Sequence, residues 1–378
     1  MIATSRRNRR NLRSPWSYRL ISAAIVLDLL LVAAAITVPA KPILIQSAGN
    51  DSFFAHPEIR ALLLRNGFDV RATASGSGRI ADLDLSRYDL ALPAGRYFAD
   101  LIEAKLPTTV EAIPVFSTTV VVQTWKPLLP RLAALGLATR ESDDTWTFHV
   151  DKYLELVTTD VTWDDIPGYI GFGDKLVRLQ LVDPETSNSG AMFVAAASIA
   201  LNDGRVLSDG ERVASIAADI VPAYRDLGQL PTSTNEALTD YQTKCMAGAP
   251  LVLGYESDFI VSYNKGPEGR LCDGAEKAML YLSPGIMADH TFIQLKPSLP
   301  ANADKRTLRD LLREDTEIQH LAAVRLGYRN TQHYYPDTEV PLRRNLTASP
   351  IPAACVLRGL IDEVRRELRL PVAERPAC

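Results

Sequence analysis

Short apolar runs that end in clusters of Ser, Gly and Asn recur along the first third of the chain, and each is followed by residues at helical spacing. Pro42-Ile43-Leu44-Ile45-Gln46-Ser47-Ala48-Gly49-Asn50 reads as a buried strand running into a small-residue loop, and His56 to Asn66 as a helix stopped by Gly67. Phe68 to Thr73 gives a second strand, which again ends in small residues, Ala74 to Gly78, before Arg79 to Asp82 begin a turn or helix. Tyr88 to Pro93 is a third short strand. Strands alternating with helices predict an α/β fold with a mostly parallel sheet, whose ligand loops gather at the carboxyl ends of the strands.

The middle of the chain continues the pattern. Ala112 to Gln123 is long and β-branched, as suits a strand that crosses between two bodies. Lys126 to Leu137, Tyr153 to Val157 and Pro222 to Leu227 are short helical pieces, and Leu251 to Tyr255 is a returning strand. Met279 to Ser283, Ile293 to Leu295, a helix from about Lys305 to Leu326 and a last one from Cys355 to Leu368 complete the chain.

The most informative stretch lies between these. Leu181-Val182 leads into Asp183-Pro184-Glu185-Thr186-Ser187-Asn188-Ser189-Gly190 and then into an apolar, Ala-rich helix, Ala191 to Leu201. Thr186, Ser187, Asn188 and Ser189 can each donate a side-chain hydrogen bond, and a helix starting near Gly190 aims unpaired N–H groups and its positive dipole end at the same point. An anion or a polar small molecule suits such a cradle. The same residues serve equally as a plain helix cap.

Asp183 to Gly190 resembles the D-P-x-x-S-N-S-G signature of type II periplasmic solute-binding proteins, in particular the phosphate-binding-like branch and the substrate-binding domains associated with von Willebrand A-type proteins. Ser75-Gly76-Ser77-Gly78 is similar to that family's first-lobe Gly/Ser loop, Pro250 to Ser257 to its strand returning from the second lobe, and Leu326-Gly327-Tyr328-Arg329 to its C-terminal element. The resemblance implies a two-lobed fold with two crossover strands, in which residues 41–116 plus 255–378 form lobe I and 117–254 form lobe II. Two strands joining two lobes can bend to close a cleft on a solute.

The resemblance also implies the ligand positions: Ser47, Gly49 and Asn50; Ser75, Gly76, Ser77, Gly78 and Arg79; Ser117 and Thr118 at the hinge; Thr186, Ser187, Asn188, Ser189 and Gly190 on the far wall; Tyr255 and Glu256 after the returning strand. Arg79 either supplies charge or is a solvated helix-end arginine. Glu256 either accepts the proton of a monohydrogen phosphate or sits in a hinge ion pair. Asp51 is a second candidate acceptor, and the acidic Asp82 and Asp84 after the Ser-Gly-Ser-Gly-Arg loop depart from the phosphate-binding pattern.

The ends and the composition set the compartment. Six arginines lie within residues 1–19, and residues 20–40 are apolar except for Asp28, Ser22 and Thr37, so a basic cytoplasmic flank precedes a signal peptide or a membrane anchor. Val38-Pro39-Ala40 has signal-peptidase spacing, but the run is also long enough to stay as a spanning helix; both readings stand. Either places the rest of the chain outside the cell membrane. With 378 residues there is material for two sizeable cores, and a formal net charge of −4 with scattered Lys and Arg leaves no nucleic-acid footprint. Four cysteines, Cys245, Cys272, Cys355 and Cys378, allow two disulfides in an oxidising compartment, and the shortest closures pair Cys245 with Cys272 and Cys355 with Cys378.

No catalytic motif stands out. The histidines, His56, His149, His290, His320 and His333, are dispersed, no H-E-x-x-H or G-x-S-x-G pattern occurs, and the sequence calls for no metal or cofactor. The expectation is therefore a non-enzyme: an extracytoplasmic solute-binding protein that captures a small, anionic ligand for ABC-type uptake or sensing. The alternative is a membrane-tethered interaction or regulatory protein that keeps the fold without a transport ligand, for which the basic flank and Asp28 argue.

Overall fold

The computed structural model describes residues 42–49, 51–106, 112–167, 172–208, 210, 212–297, 299, 301–302, 305–330 and 334–374. The 20–40 segment, Asn50, His333 and Cys378 lie outside the described residues. Within them no helix is long and apolar enough to cross a membrane.

The chain opens with the expected alternation: β1 (Ile43–Ser47), α1 (Asp51–Ala55), α2 (Pro57–Arg65), β2 (Val70–Ala74), α3 (Ser77–Asp82), β3 (Leu90–Leu92) and α4 (Arg96–Glu103). A 13-residue strand, β4 (Ile113–Trp125), leads to α5 (Leu129–Ala134), β5 (Ala138–Arg140), β6 (Trp146–His149), α6 (Val150–Leu156), α7 (Asn188–Ala200), α8 (Val213–Ile220) and α9 (Thr234–Gly248). Then follow β7 (Val252–Tyr255), α10 (Glu256–Tyr263), α11 (Pro267–Arg270), β8 (Leu271–Cys272), β9 (Ala275–Ser283), β10 (Met287–Gln294), α12 (Leu308–Glu314), α13 (Thr316–Leu326) and α14 (Ala354–Glu367).

The strands form one mixed sheet in the order β2-β1-β3-β10-β4-β9-β6-β5, with β7 also on β4 and β8 on β9. β1 runs parallel to both β2 and β3, so their carboxyl ends and the loops after them face the same way. β4 joins the two wings. Its first half pairs with β10, and its second half pairs with β7 and β9. Its β-branched sequence fits that position, since all its residues from Val115 on are buried except the half-buried Ser117.

Apolar side chains build two main cores. One holds Phe53, Phe54, Ile59, Phe68, Phe116, Phe292 and Leu312 on one face of the β1 wing, and the larger one includes α7 and the β4 half that carries Val120 and Val122. The wholly apolar turns of α7 are explained by its place inside this second core, where Ala191 to Ala197 are all inaccessible to solvent.

Three sequence expectations shift. The helix expected from Lys305 to Leu326 is two helices: Thr307 and Asp310 form a capping box for α12, and Asp315 caps α13 by accepting from the N–H groups of Glu317 and Ile318. Gly327, at φ 69°, then ends α13 in the left-handed region. β9, expected with the first lobe, pairs with β6 and the second half of β4. α14, also expected there, packs mainly on α8 and α7. Its apolar face, Leu357, Leu360, Ile361 and Val364, completes the larger core.

Cys245, at the end of α9, and Cys272, in β8, are joined by a disulfide. Cys355 is also disulfide-bonded; its expected partner, Cys378, is outside the described residues. With Cys245 and Cys272 separated by 27 positions, removing that bond in a Cys245→Ser/Cys272→Ser double variant should lower the unfolding free energy by about 3.5 kcal/mol on loop entropy. Urea denaturation of both proteins measures this, and an unchanged midpoint would contradict it.

Candidate functional site

The loops after β1, β2 and β3 meet the starts of α7, α9 and α10 around a cavity of about 260 Å³. Gly49 follows β1, Ser75 and Gly76 follow β2, Ser77 and Arg79 open α3, and Ala94 follows β3. The opposite wall carries Ser187 and Asn188 from α7, Ser233, Thr234 and Asn235 from α9, and Tyr255, Ser257 and Asp258 from β7 and α10. His290 and Tyr328 close the remaining side.

Each wall is held by its own hydrogen bonds. Gln46 Nε2 donates to Ser75 Oγ at 2.9 Å, and Ser77 Oγ both accepts from the Ala94 N–H and donates to its carbonyl. The starts of α7 and α9 are tied through hydroxyls: Ser189 Oγ lies 2.9 Å from Thr234 Oγ1 and 3.2 Å from Ser187 Oγ. At the start of α7 the Ser187 side chain makes no cap hydrogen bond, so it does not cover the helix's first N–H groups. Asn188, only 2% exposed, donates from Nδ2 to the Tyr255 hydroxyl at 3.2 Å, while its Oδ1 is buried with no hydrogen-bond partner among the described residues. Burial pushes the Tyr255 phenol well up, so it stays a hydroxyl.

The structure also brings the two walls into direct contact beside the cavity. The Gly78 N–H donates to the Thr186 carbonyl at 3.1 Å. A Cβ at Gly78 would lie 1.8 Å from the Glu185 carbonyl oxygen, and one at Gly76 2.3 Å from that of Thr186, so only glycine allows α3 to dock here. Behind this loop Arg365 of α14, nearly buried, pairs with Asp183 and with Glu185 at 2.8 Å, and Glu185 also accepts from the Ala373 N–H at 2.7 Å.

Of the residues the sequence placed in the cleft, Gly49, Ser75, Gly76, Ser77, Arg79, Ser187, Asn188 and Tyr255 line the cavity. Asn50 lies outside the described residues. The others lie behind the lining. Ser47 is buried under it, Thr186 donates its hydroxyl to the Thr232 carbonyl at 2.9 Å, Ser189 braces Thr234, and Gly190 packs on Val182 and Pro184. Ser117 donates to Asp289 at 2.6 Å, and Thr118 accepts from the Ser257 N–H at 3.1 Å.

Glu256 is turned away altogether. It is 1% exposed, takes a two-pronged hydrogen bond from Arg329 at 2.6 and 2.7 Å, and accepts from the Tyr281 hydroxyl. The hinge-pair reading of Glu256 is therefore the one the geometry supports.

Several lining residues were not singled out in the sequence. Thr232 to Asn235 had a local signal, since Ser233-Thr234-Asn235-Glu236 follows the capping-box pattern: Ser233 Oγ accepts from the Glu236 N–H, and the Glu236 carboxylate accepts from the Thr232 N–H at 2.7 Å. His290 had none, and Tyr328, though part of the Leu326 to Arg329 element, was not placed in the cleft: the two come from β10 and the end of α13 and meet only in the fold, with rings 5.3 Å apart.

Burial pulls the His290 pKa down from 6.5 to about 4. Above pH 6.5 neither the native nor the unfolded chain protonates it. Between pH 6.5 and 4 the unfolded chain takes up a proton that the native imidazole refuses, so stability falls with pH by up to about 1.4 kcal/mol per unit. His290→Gln should remove that part of the slope. Urea midpoints of wild type and variant at pH 7.5 and 5.0 give the comparison, and parallel pH profiles would contradict it.

No family model and no curated protein matches the chain. Solved structures do match. Iron-bound HitA from Pseudomonas aeruginosa superposes with a TM-score of 0.52 at 10% identity, covering 87% of this chain and 99% of that one. The ferric binding protein from Campylobacter jejuni gives 0.51 at 12%, covering 86% and 97%. The periplasmic binding protein AfuA from Actinobacillus pleuropneumoniae, with exogenous fructose-6-phosphate bound, gives 0.50 at 13%, covering 87% and 99%. The chain has the two-lobed periplasmic-binding fold. At these identities the likeness concerns the fold, and the chemistry of the site rests on the residues above.

Proposed function

We propose that the protein is an extracytoplasmic solute-binding protein that captures a small anionic solute in its cleft, for delivery to an ABC-type transporter or for sensing. One observation carries this reading: three helices of eight or more residues begin at one half-open cavity, on walls supplied by both wings of the sheet. Each helix start contributes partial positive charge and N–H donors, and the hydroxyls of Ser75, Ser187, Ser233 and Ser257 add neutral donors. The fold supports a binding role, and the motif from Asp183 to Gly190 supports the phosphate-binding-like branch. The Arg-rich flank before an apolar segment supports a place outside the membrane, released or anchored.

A metal cation as cargo fits the residues less well. Among the described residues, the one group of three His, Cys, Asp or Glu side chains close enough to share an ion is Cys245, Cys272 and Asp273, and its two sulfurs are joined to each other. Among the described residues, the cavity lining includes one carboxylate, Asp258, and one imidazole, His290.

The test is a ligand-induced thermal shift. Wild type and Asn188→Ala are melted with inorganic phosphate, sulfate, fructose 6-phosphate, glycerol 3-phosphate and small dicarboxylates. A binder should raise the wild-type midpoint. Losing a hydrogen bond to a charged ligand costs roughly 1.5 to 3 kcal/mol, so affinity in the variant should fall by about one to two orders of magnitude. An equal rise in both proteins removes Asn188 from the site. No rise with any compound transfers the preference to the tethered interaction protein, for which the basic flank and Asp28 speak.

A further inference from the structure

Lys277 of β9 is a buried cation without a counter-charge. It is 4% exposed, and its ammonium donates to Ser262 Oγ at 3.0 Å and lies 5.7 Å from the centre of the Tyr241 ring. Among the described residues no carboxylate oxygen comes within ion-pair distance of it. Burial lowers its pKa, and the charge of Lys265 lowers it further. A lysine is seldom buried this far unless it is paired, because taking an ammonium out of water is costly.

Its two contacts place the ammonium between two helices. Ser262 belongs to α10 and Tyr241 to α9, and the same helices wall a compartment of about 270 Å³ beside the cleft. Asn235, Thr239 and Gln242 line it from α9, Ser262 from α10, and the exposed Lys265 from the turn beyond. Ser262 passes the charge on: its oxygen accepts from the ammonium, so its own hydrogen is left for a group in the compartment. Lys265 adds a second positive charge, again with no carboxylate in ion-pair distance among the described residues. Asp258 lines the end shared with the cleft, whereas Ser262 and Lys265 line only the outer part. Two like charges at one compartment repel each other, and an anion between them removes the repulsion and supplies the missing counter-charge.

We propose that the compartment between α9 and α10 is an anion subsite, in which carboxylate or phosphate oxygens bond Ser262 and Lys265 with the Lys277 charge behind them. The anion is either free or the second charged group of a solute held in the cleft. The subsite itself does not rest on the reading of the inner cleft; only the second of these sources does.

Calorimetry with inorganic phosphate and with 3-phosphoglycerate, which carries a phosphate and a carboxylate, is run on wild type, Lys277→Met, Thr239→Trp and Asn188→Ala, with urea midpoints for each. Lys277→Met should weaken at least one of the two compounds by about tenfold or more and yet raise the urea midpoint, because methionine fills the same space without a buried charge. Thr239→Trp, which fills the compartment from an exposed position, should weaken the same compound about as much. If the anion binds alone, phosphate is affected and Asn188→Ala leaves it unchanged. If it is the second charged group of a cleft solute, 3-phosphoglycerate alone is affected, and Asn188→Ala weakens it too.

Unchanged affinities in Lys277→Met, or a lowered midpoint, assign Lys277 to the fold alone and overturn the subsite. Loss of binding in Lys277→Met but not in Thr239→Trp overturns the compartment, since the anion then reaches Lys277 from the separate cavity that it lines with Tyr263 and Met279. Failure of both compounds to bind wild type at millimolar concentration also overturns the subsite, while the inner cleft is judged by the wider panel of solutes and Asn188→Ala.

Discussion

Replacing Arg329 by Met should lower the unfolding free energy by about 3 to 5 kcal/mol, the loss expected when one member of a buried ion pair is removed and the other is left without compensation. The stranded group is Glu256, whose side chain is 1% exposed, against 20% for Arg329. The Tyr281 hydroxyl would remain as a donor to it, and burial together with this carboxylate already holds that phenol well above its usual range. The backbone bridge between Arg329 and Ser117 is untouched by the substitution, so the loss reports on the side chains. Combining Arg329→Met with Glu256→Gln should recover part of it, because no buried charge is then left. Urea denaturation of the two single variants and the double variant forms the cycle, and a loss below about 1 kcal/mol for Arg329→Met would contradict the assignment.

Gly78→Ala should hold the cleft open. Alanine is the better helix former by about 1 kcal/mol, so α3 itself gains. Its methyl group, however, would lie 1.8 Å from the Glu185 carbonyl oxygen and 2.8 Å from the Thr186 Cα, and these are backbone atoms braced from behind by Arg365. Overpacking of this kind costs about 1 to 3 kcal/mol, and the two walls relieve it by separating. A ligand that bridges both walls then loses about one to two orders of magnitude in affinity, since it must draw the walls together against that cost. Small-angle scattering should give a larger radius for the variant at an undiminished melting temperature. Superimposable scattering curves and equal affinities would show that α3 does not gate the cleft.

Much of this architecture was legible in local sequence. Strands that stop at Ser-Gly or Ser-Asn loops predicted β1, β2 and the start of α7, because a strand end, a helix start and the residues that cap it lie within a few positions of each other. The disulfide between Cys245 and Cys272 was legible for the same reason of proximity. What stayed hidden depends on partners far along the chain. Glu256 follows β7 as a cleft residue should, yet an arginine 73 residues later turns it inward. Thr186, Ser189 and Gly190 share the motif with Ser187 and Asn188, but successive residues at a helix start point in different directions, so only part of the cluster faces the cavity. α14 has an amphipathic pattern that does not say which core it covers, and its packing on α7 and α8 came only from the fold.

β4 has a consequence for how the chain is made. Its hydrogen-bonding partners arrive late: Ser117 meets Asp289 172 positions on, Thr118 meets Ser257 139 positions on, and the Val115 carbonyl meets Gln319 204 positions on. Contacts of that separation form slowly, since a long loop must close before any of them is gained. During synthesis from the N-terminus both edges of this strand stay open until most of the polypeptide exists. A nascent chain in that state is exposed to self-association through β4 for as long as the last third is missing.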